Sequence, residues 1–102
     1  MSSETVSSRK GVPIRLSQDR WFHITEQHSE LAGYYFEVLE AVVGAEAVYQ
    51  GSAGECLAVR EVDPGKYLVV YRELSASDGF VITAFLTRRR ARLERRVKLW
   101  PQ

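Results

Sequence analysis

The sequence predicts one small α+β domain, in which two N-terminal helices pack on an antiparallel sheet of about four strands and a basic helix follows. Three observations lead to this prediction. Apolar residues recur with helical spacing up to residue 43, then alternate with the period of a strand up to residue 85, and arginines crowd residues 88–102. With 102 residues, of which 45% are hydrophobic, the chain can bury one core but not two.

The first eleven residues contain only two sizeable apolar side chains, Met1 and Val6. Such a segment cannot offset the entropy of becoming ordered, so we expect residues 1–11 to be a flexible tail ahead of a domain at 12–87. The chain shows neither the apolar core of a secretory signal nor a run long enough to span a membrane. We therefore expect a cytoplasmic protein that does not contact membranes.

The first helix is predicted over residues 17–28. Ser17 or Asp19 can cap its start, and Trp21, Ile24 and His28 follow at i, i+3 and i+7 on one face.

The second helix is predicted over residues 31–43. Its apolar side contains Tyr35 and Leu39, Gly44 is well placed to end it, and Gly33 is an alternative reason for a later start.

Four strands are predicted after the helices, at residues 47–49, 55–62, 67–71 and 80–85. They are rich in β-branched and aromatic residues and are separated by short turns that contain glycine. Consecutive strands with such short connections are normally antiparallel neighbours.

Positive charge is concentrated at the C-terminus. Residues 1–87 contain seven Lys and Arg against twelve Asp and Glu, whereas residues 88–98 contain seven against one. Leu93, Val97 and Trp100 fall on one line of a helix, which predicts a basic amphipathic helix over 88–102. Three alternatives stay open for it, namely a nucleic-acid or protein contact, a homodimer interface and a solvated surface. The nucleic-acid interpretation assigns substrate binding to Arg88, Arg89, Arg90 and Arg92.

Several kinds of site lack support in the sequence. Two histidines and the single Cys56 do not have the paired spacing of a zinc site, and no glycine-rich phosphate loop or nucleophilic triad is apparent. We therefore expect no metal and no cofactor. What remains is His, Arg, Thr and Tyr, the set used by metal-independent ribonucleases, in which histidine serves as acid and base.

The two histidines differ in their positions around the first helix. At 100° per residue, His28 falls about 20° from Trp21 and His23 about 160° from it. We therefore expect His28 near the sheet and His23 facing outward, in a pair that cannot easily act together. A structural role for each histidine is the alternative.

Polar residues on three predicted strands form a second candidate group. Arg60, Tyr71, Arg72 and Thr83 can converge on a phosphate if they share one face of the sheet. For Thr83 and Arg72 the alternatives are a strand former and a solvated edge residue.

Four segments resemble the phage-type branch of the barnase/EndoU/colicin/RelE-like nuclease superfamily. Residues 20–24 (RWFHI) and 28–31 (HSEL) resemble the opening "W-x-H-I … H-P-E" pattern of that family, and residues 66–70 (KYLVV) and 80–85 (FVITAF) resemble two of its strands. The resemblance covers residues 14–87.

The resemblance implies a ribonuclease site made of a helical histidine (His23 or His28), Arg60 and Thr83. It implies RNA as the substrate and, because similar domains serve as toxins or as parts of phage proteins, an antitoxin or inhibitor protein as a partner. The predicted function is metal-independent endoribonuclease activity through attack of the ribose 2′-OH. An inactive module that binds nucleic acid or protein, including a homodimer, is the alternative.

Overall fold

The structure is a computed structural model that describes residues 3–64, 66–68 and 71–101, with only the backbone considered for residues 63, 66–68, 72 and 74. Its helices are α1 (Gln18–Gln27), α2 (Tyr35–Val43) and the single turn α3 (Arg90–Leu93), and a 3₁₀ turn spans Ser29–Leu31. Its strands are β1 (Ser3–Ser7), β2 (Pro13–Ser17), β3 (Ala47–Gln50), β4 (Cys56–Asp63), β5 (Lys66–Leu68), β6 (Tyr71–Ser75), β7 (Asp78–Val81) and β8 (Lys98–Trp100). The α+β class is therefore confirmed.

The sheet is larger than the sequence predicts and is not purely antiparallel. Its order is β1-β2-β7-β6-β4-β3-β8, and β5 pairs with the second half of β4. Strands β2 and β7 are parallel, with Arg15 opposite Phe80, whereas the other described pairs are antiparallel. The expectation of about four antiparallel strands is wrong in number and in one direction.

The N-terminal segment is a strand where a flexible tail is expected. Strand β1 pairs with β2 from Ser3 opposite Ser17 to Ser7 opposite Pro13. The buried Ser8 closes the connection, because its hydroxyl accepts the backbone N–H of Lys10 and of Val12. Main-chain pairing and this turn order a segment that has little apolar surface, and composition alone does not reveal that contribution.

Both N-terminal helices form, the second later than its apolar pattern begins. Gly33 has a φ of 88°, a left-handed conformation that glycine adopts without strain, and α2 starts only at Tyr35. Gly44 is the C-cap of α2, as expected. Trp21 packs edge-on against Tyr35 at 5.4 Å between ring centroids and so joins the two helices. None of the helices in the described part of the chain is long and apolar enough to cross a membrane.

Two groups of buried residues lie on opposite faces of the sheet. Val48 and Ala58 belong to the main core, which α1 and α2 cover, whereas their strand neighbours Tyr49 and Leu57 belong to a smaller cluster with Leu93 of α3. This alternation is the period of two that a strand imposes. Phe85 packs against the smaller cluster.

The strand predicted over 80–85 ends at Val81. Val81 pairs with Tyr71, the first residue of β6, and β2 has already turned into α1 after Ser17. Residues 82–86 are not part of a strand.

The predicted C-terminal helix over 88–102 is wrong. Only Arg90–Leu93 are helical, and the following chain forms β8, which pairs with β3. Arg88, Arg92 and Arg96 stand at i, i+4 and i+8, where like charges destabilise a helix, whereas the free edge of β3 offers backbone hydrogen bonds. Leu93 and Val97 belong to the apolar line that suggested a homodimer interface. Leu93 is buried within the chain, and Val97 is exposed.

Candidate active site

The first helix begins directly at the end of β2. The Ser17 hydroxyl accepts the backbone N–H of Arg20 at 3.1 Å, and Asp19 lies in the first turn, so both parts of the expected helix start are present. This cap fixes the first turn and with it the position of Arg20, one turn before His23.

Seven residues of α1 and of the segment after β7 line one pocket of about 550 Å³, which we call the histidine pocket. They are Arg20, His23, Ile24, Gln27, His28, Ile82 and Thr83. The pocket therefore brings together two imidazoles, one guanidinium and one hydroxyl.

The shared pocket corrects the expectation that the two histidines point apart. The helical wheel holds only while the helix continues, and α1 ends at Gln27. His28 is the C-cap, with a φ of −131° and a ψ of 72°, so its side chain leaves the direction that 100° per residue assigns to it. The expected difference in exposure is present, because the His23 side chain is 66% exposed and the His28 side chain 33%.

Each imidazole lies beside a carboxylate. His23 Nδ1 is 3.4 Å from Glu26 Oε1, and His28 Nδ1 is 3.5 Å from Glu30 Oε2. A carboxylate at Nδ1 favours the tautomer that carries hydrogen there, which leaves Nε2 to exchange a proton with a bound molecule. Both side chains are thus set up for proton transfer in the same way.

Arg20 and Gln27 belong to the pocket but not to the residues that the sequence suggested. A usable signal exists, since Arg20, His23, Ile24 and Gln27 follow the i, i+3, i+4, i+7 spacing of one helix face. Buried Ile24 anchors that face, and the three polar residues around it are exposed. The sequence prediction was based on the apolar line through Trp21, which lies on a different face of the first helix.

Arg60 does not line the histidine pocket. Its guanidinium donates to the Gly44 carbonyl at 3.0 Å, at the C-terminus of α2. A Cβ at position 44 would lie 2.5 Å from Arg60 Nη1, so a larger residue there would displace the Arg60 guanidinium from this contact. The contact satisfies a carbonyl at the end of a helix.

Tyr71, a further strand candidate, does not line the histidine pocket. Tyr71 is fully buried, and burial raises the pKa of its hydroxyl far above the ordinary value. Arg72 lies opposite Phe80 in the sheet, and its side chain lies outside the described part of the structure.

A second concave surface lies beside α3, and we call it the arginine pocket. It has a volume of about 390 Å³ and is lined by Phe85, Thr87, Arg89, Arg92, Leu93, Arg95 and Arg96. Two of the predicted substrate-binding arginines, Arg89 and Arg92, are in it, whereas Arg88 is exposed outside its lining. Arg90 instead contacts Glu46 at 2.6 Å and Glu94 at 3.3 Å.

The two pockets are neighbours. The ring of Phe85, which lines the arginine pocket, has its centroid 6.3 Å from that of His28, which lines the histidine pocket. The two pockets therefore meet at the rings of His28 and Phe85.

Within the described residues, no group of three or more His, Cys, Asp or Glu side chains is arranged to hold a metal ion. No family model, curated protein or solved structure matches this chain. Any assignment of function rests on the geometry of the two pockets.

Proposed function

We propose that the protein is a metal-independent endoribonuclease whose active site is the histidine pocket. The observation that carries the proposal is the presence of His23, His28, Arg20 and Thr83 in the lining of one pocket. These side chains supply the two proton-transfer groups, the cation and the hydroxyl that cleavage of RNA without a metal requires.

In the proposed reaction the ribose 2′-oxygen attacks the adjacent phosphorus. One histidine accepts the proton of the 2′-OH while the O2′–P bond forms, and the other donates a proton to the 5′-oxygen while the P–O5′ bond breaks. The products are a 2′,3′-cyclic phosphate and a free 5′-hydroxyl. The carboxylates of Glu26 and Glu30 orient the two rings and stabilise each imidazolium while it carries the extra proton.

Arg20 and Thr83 hold the phosphate in this proposal. Negative charge accumulates on the non-bridging oxygens as the fifth bond to phosphorus forms, and a guanidinium stabilises that charge more than it stabilises the starting diester. The Thr83 hydroxyl donates a further hydrogen bond from the opposite wall, which the segment after β7 provides.

The test is cleavage of a defined RNA in EDTA, with analysis of the new ends. The wild-type protein should produce 2′,3′-cyclic phosphates, and His23→Gln and His28→Gln should each lower the rate by about 10² to 10⁴-fold. Phe36→Leu is the control, because Phe36 is 65% exposed on α2 and does not line the pocket. Equal cleavage by a variant that lacks both histidines would refute the proposal.

The arginine pocket also favours a second candidate function, a nucleic-acid-binding module without catalysis. Four arginines around one concavity attract a polyanion whether or not the neighbouring histidines act. RNA that binds in a salt-sensitive way and stays intact over a long incubation would establish this alternative in place of the ribonuclease.

A further inference from the structure

We infer that the arginine pocket is a nucleotide subsite for single-stranded nucleic acid, in which arginines hold the backbone and Phe85 stacks on an unpaired base. The inference deepens the proposed function, and it rests on that function for the course of the nucleic-acid strand from the histidine pocket to the arginine pocket. A strand whose scissile phosphate lies in the histidine pocket would place its next nucleotide over Phe85 and its next phosphates among the arginines.

The charge of the pocket favours an anionic occupant. Arg89, Arg92, Arg95 and Arg96 line it together, and none of the ion pairs between described residues involves any of the four. Like charges around one concavity with an apolar wall create a focused positive potential, which a bound polyanion relieves. The two carboxylates that contact α3, Glu46 and Glu94, both pair with Arg90, which does not line the pocket.

The backbone that carries the arginines is held in place before any ligand binds. Leu93 anchors α3 in the smaller buried cluster, and the Glu46 carboxylate holds Arg90 at 2.6 Å. The Arg92 N–H donates to the Arg89 carbonyl, and the Arg96 N–H donates to the Leu93 carbonyl. An anchored segment loses less conformational entropy on binding than a free tail does, so more of the contact energy appears as affinity.

Phe85 favours nucleic acid over other polyanions as the occupant of the arginine pocket. Its ring is half-buried on the wall of the arginine pocket and next to His28, so a flat apolar surface adjoins the cations at the junction of the two pockets. Aromatic side chains beside a basic groove are how proteins bind single strands, because every base has a face to stack. A paired base is not available to such a ring, and an acidic peptide gains nothing from it.

The test measures binding without cleavage. A short single-stranded DNA of mixed sequence has no 2′-OH and stays intact, so fluorescence anisotropy reports binding even if the protein is not a ribonuclease. Arg92→Gln and Arg96→Gln should each weaken binding about tenfold at low salt, and each should make the slope of log affinity against log salt less negative by about 0.7.

Two controls are matched to these changes. Lys98→Gln removes the same charge from an exposed residue outside the pocket lining, and its affinity should stay within about twofold of wild type. Phe85→Leu should weaken binding about tenfold, whereas Phe36→Leu, at a residue that is 65% exposed on α2, should have no effect. Melting curves establish that each variant is folded.

Three results would overturn the inference. The protein could bind the duplex of the same sequence with equal affinity, or bind polyglutamate as tightly as the oligonucleotide. The third result is a loss of affinity in the pocket variants that is no larger than the loss in their controls. Failure of the proposed function looks different, because RNA would stay intact while the oligonucleotide still bound through Arg92, Arg96 and Phe85.

Discussion

Replacing Arg60 separates a role in holding the fold from a role in catalysis. The resemblance implies that Arg60 belongs to the site, but its guanidinium donates to the Gly44 carbonyl at 3.0 Å and does not reach the histidine pocket. Arg60→Met keeps much of the apolar stem and removes the charge and the donors. We expect this variant to be less stable and, where folded, as active as wild type.

The magnitude follows from the hydrogen bond. A charged donor on a carbonyl contributes about 1.5–3 kcal/mol when buried, and because this bond is only partly buried we expect a loss of about 1–2 kcal/mol in the free energy of unfolding. For a domain of this size the melting temperature should fall by about 5–15 °C. Water can reach the vacated Gly44 carbonyl, so the loss stays below that of a fully buried pair.

Urea unfolding and RNA cleavage are measured on the same samples. Arg15→Met is the matched control, because Arg15 pairs with Asp78 at 2.9 Å on the surface with a side chain 52% exposed, and such pairs contribute about 0–1 kcal/mol. An Arg60→Met variant with unchanged stability and a cleavage rate reduced a hundredfold would refute this reasoning and return Arg60 to the catalytic residues.

Two further predictions concern stability. The Glu61 backbone N–H and the Arg90 guanidinium hold the pKa of Glu46 below its ordinary value. The charged carboxylate therefore stabilises the fold at any pH above the ordinary glutamate pKa. This stabilisation is lost as the pH falls through the lower pKa of the folded state. Glu46→Gln should therefore cost about 0.5–1 kcal/mol at pH 7 and progressively less in urea titrations as the pH is lowered and the carboxylate of the folded protein becomes protonated, and a cost that does not depend on pH would contradict this. Gly33→Ala should cost about 1 kcal/mol in the same assay, because the φ of 88° strains any residue with a Cβ while nothing lies within 4 Å to clash, and an unchanged midpoint would show that the turn can relax.

The sequence was most informative where one local signal determines an element. The cap at Ser17, the left-handed Gly33 and the stop at Gly44 set the ends of α1 and α2, and each acts through its immediate neighbours. The prediction of strands was wrong where pairing depends on residues that are distant in the sequence. Whether residues 82–86 continue a strand depends on where β6 begins and where β2 ends, and no pattern within those residues contains that information.

For the candidate site too, the sequence predicted what depends on single residues and not what depends on the folded chain. His23 and His28 are recognisable from their chemistry, and the predicted helix end at residue 28 agrees with the C-cap at His28, but the helical wheel did not place the two histidines at one pocket. Arg95 and Arg96 were not among the predicted contacts. The tight turn around α3 brings them to Arg89 and Arg92.

The parallel pairing of β2 with β7 explains why a threonine distant in sequence meets the histidine helix. Arg15 is opposite Phe80, so both strands run in the same direction and leave the sheet at the same end. From that end β2 continues directly into α1, and β7 continues into residues 82–83. The two continuations therefore start from the same end of the sheet, and Thr83, Arg20 and His23 line one pocket there. An antiparallel neighbour would have carried the chain after Val81 to the opposite edge, so the β1–β2 hairpin, whose first strand lies in the expected flexible tail, positions the two walls of the histidine pocket.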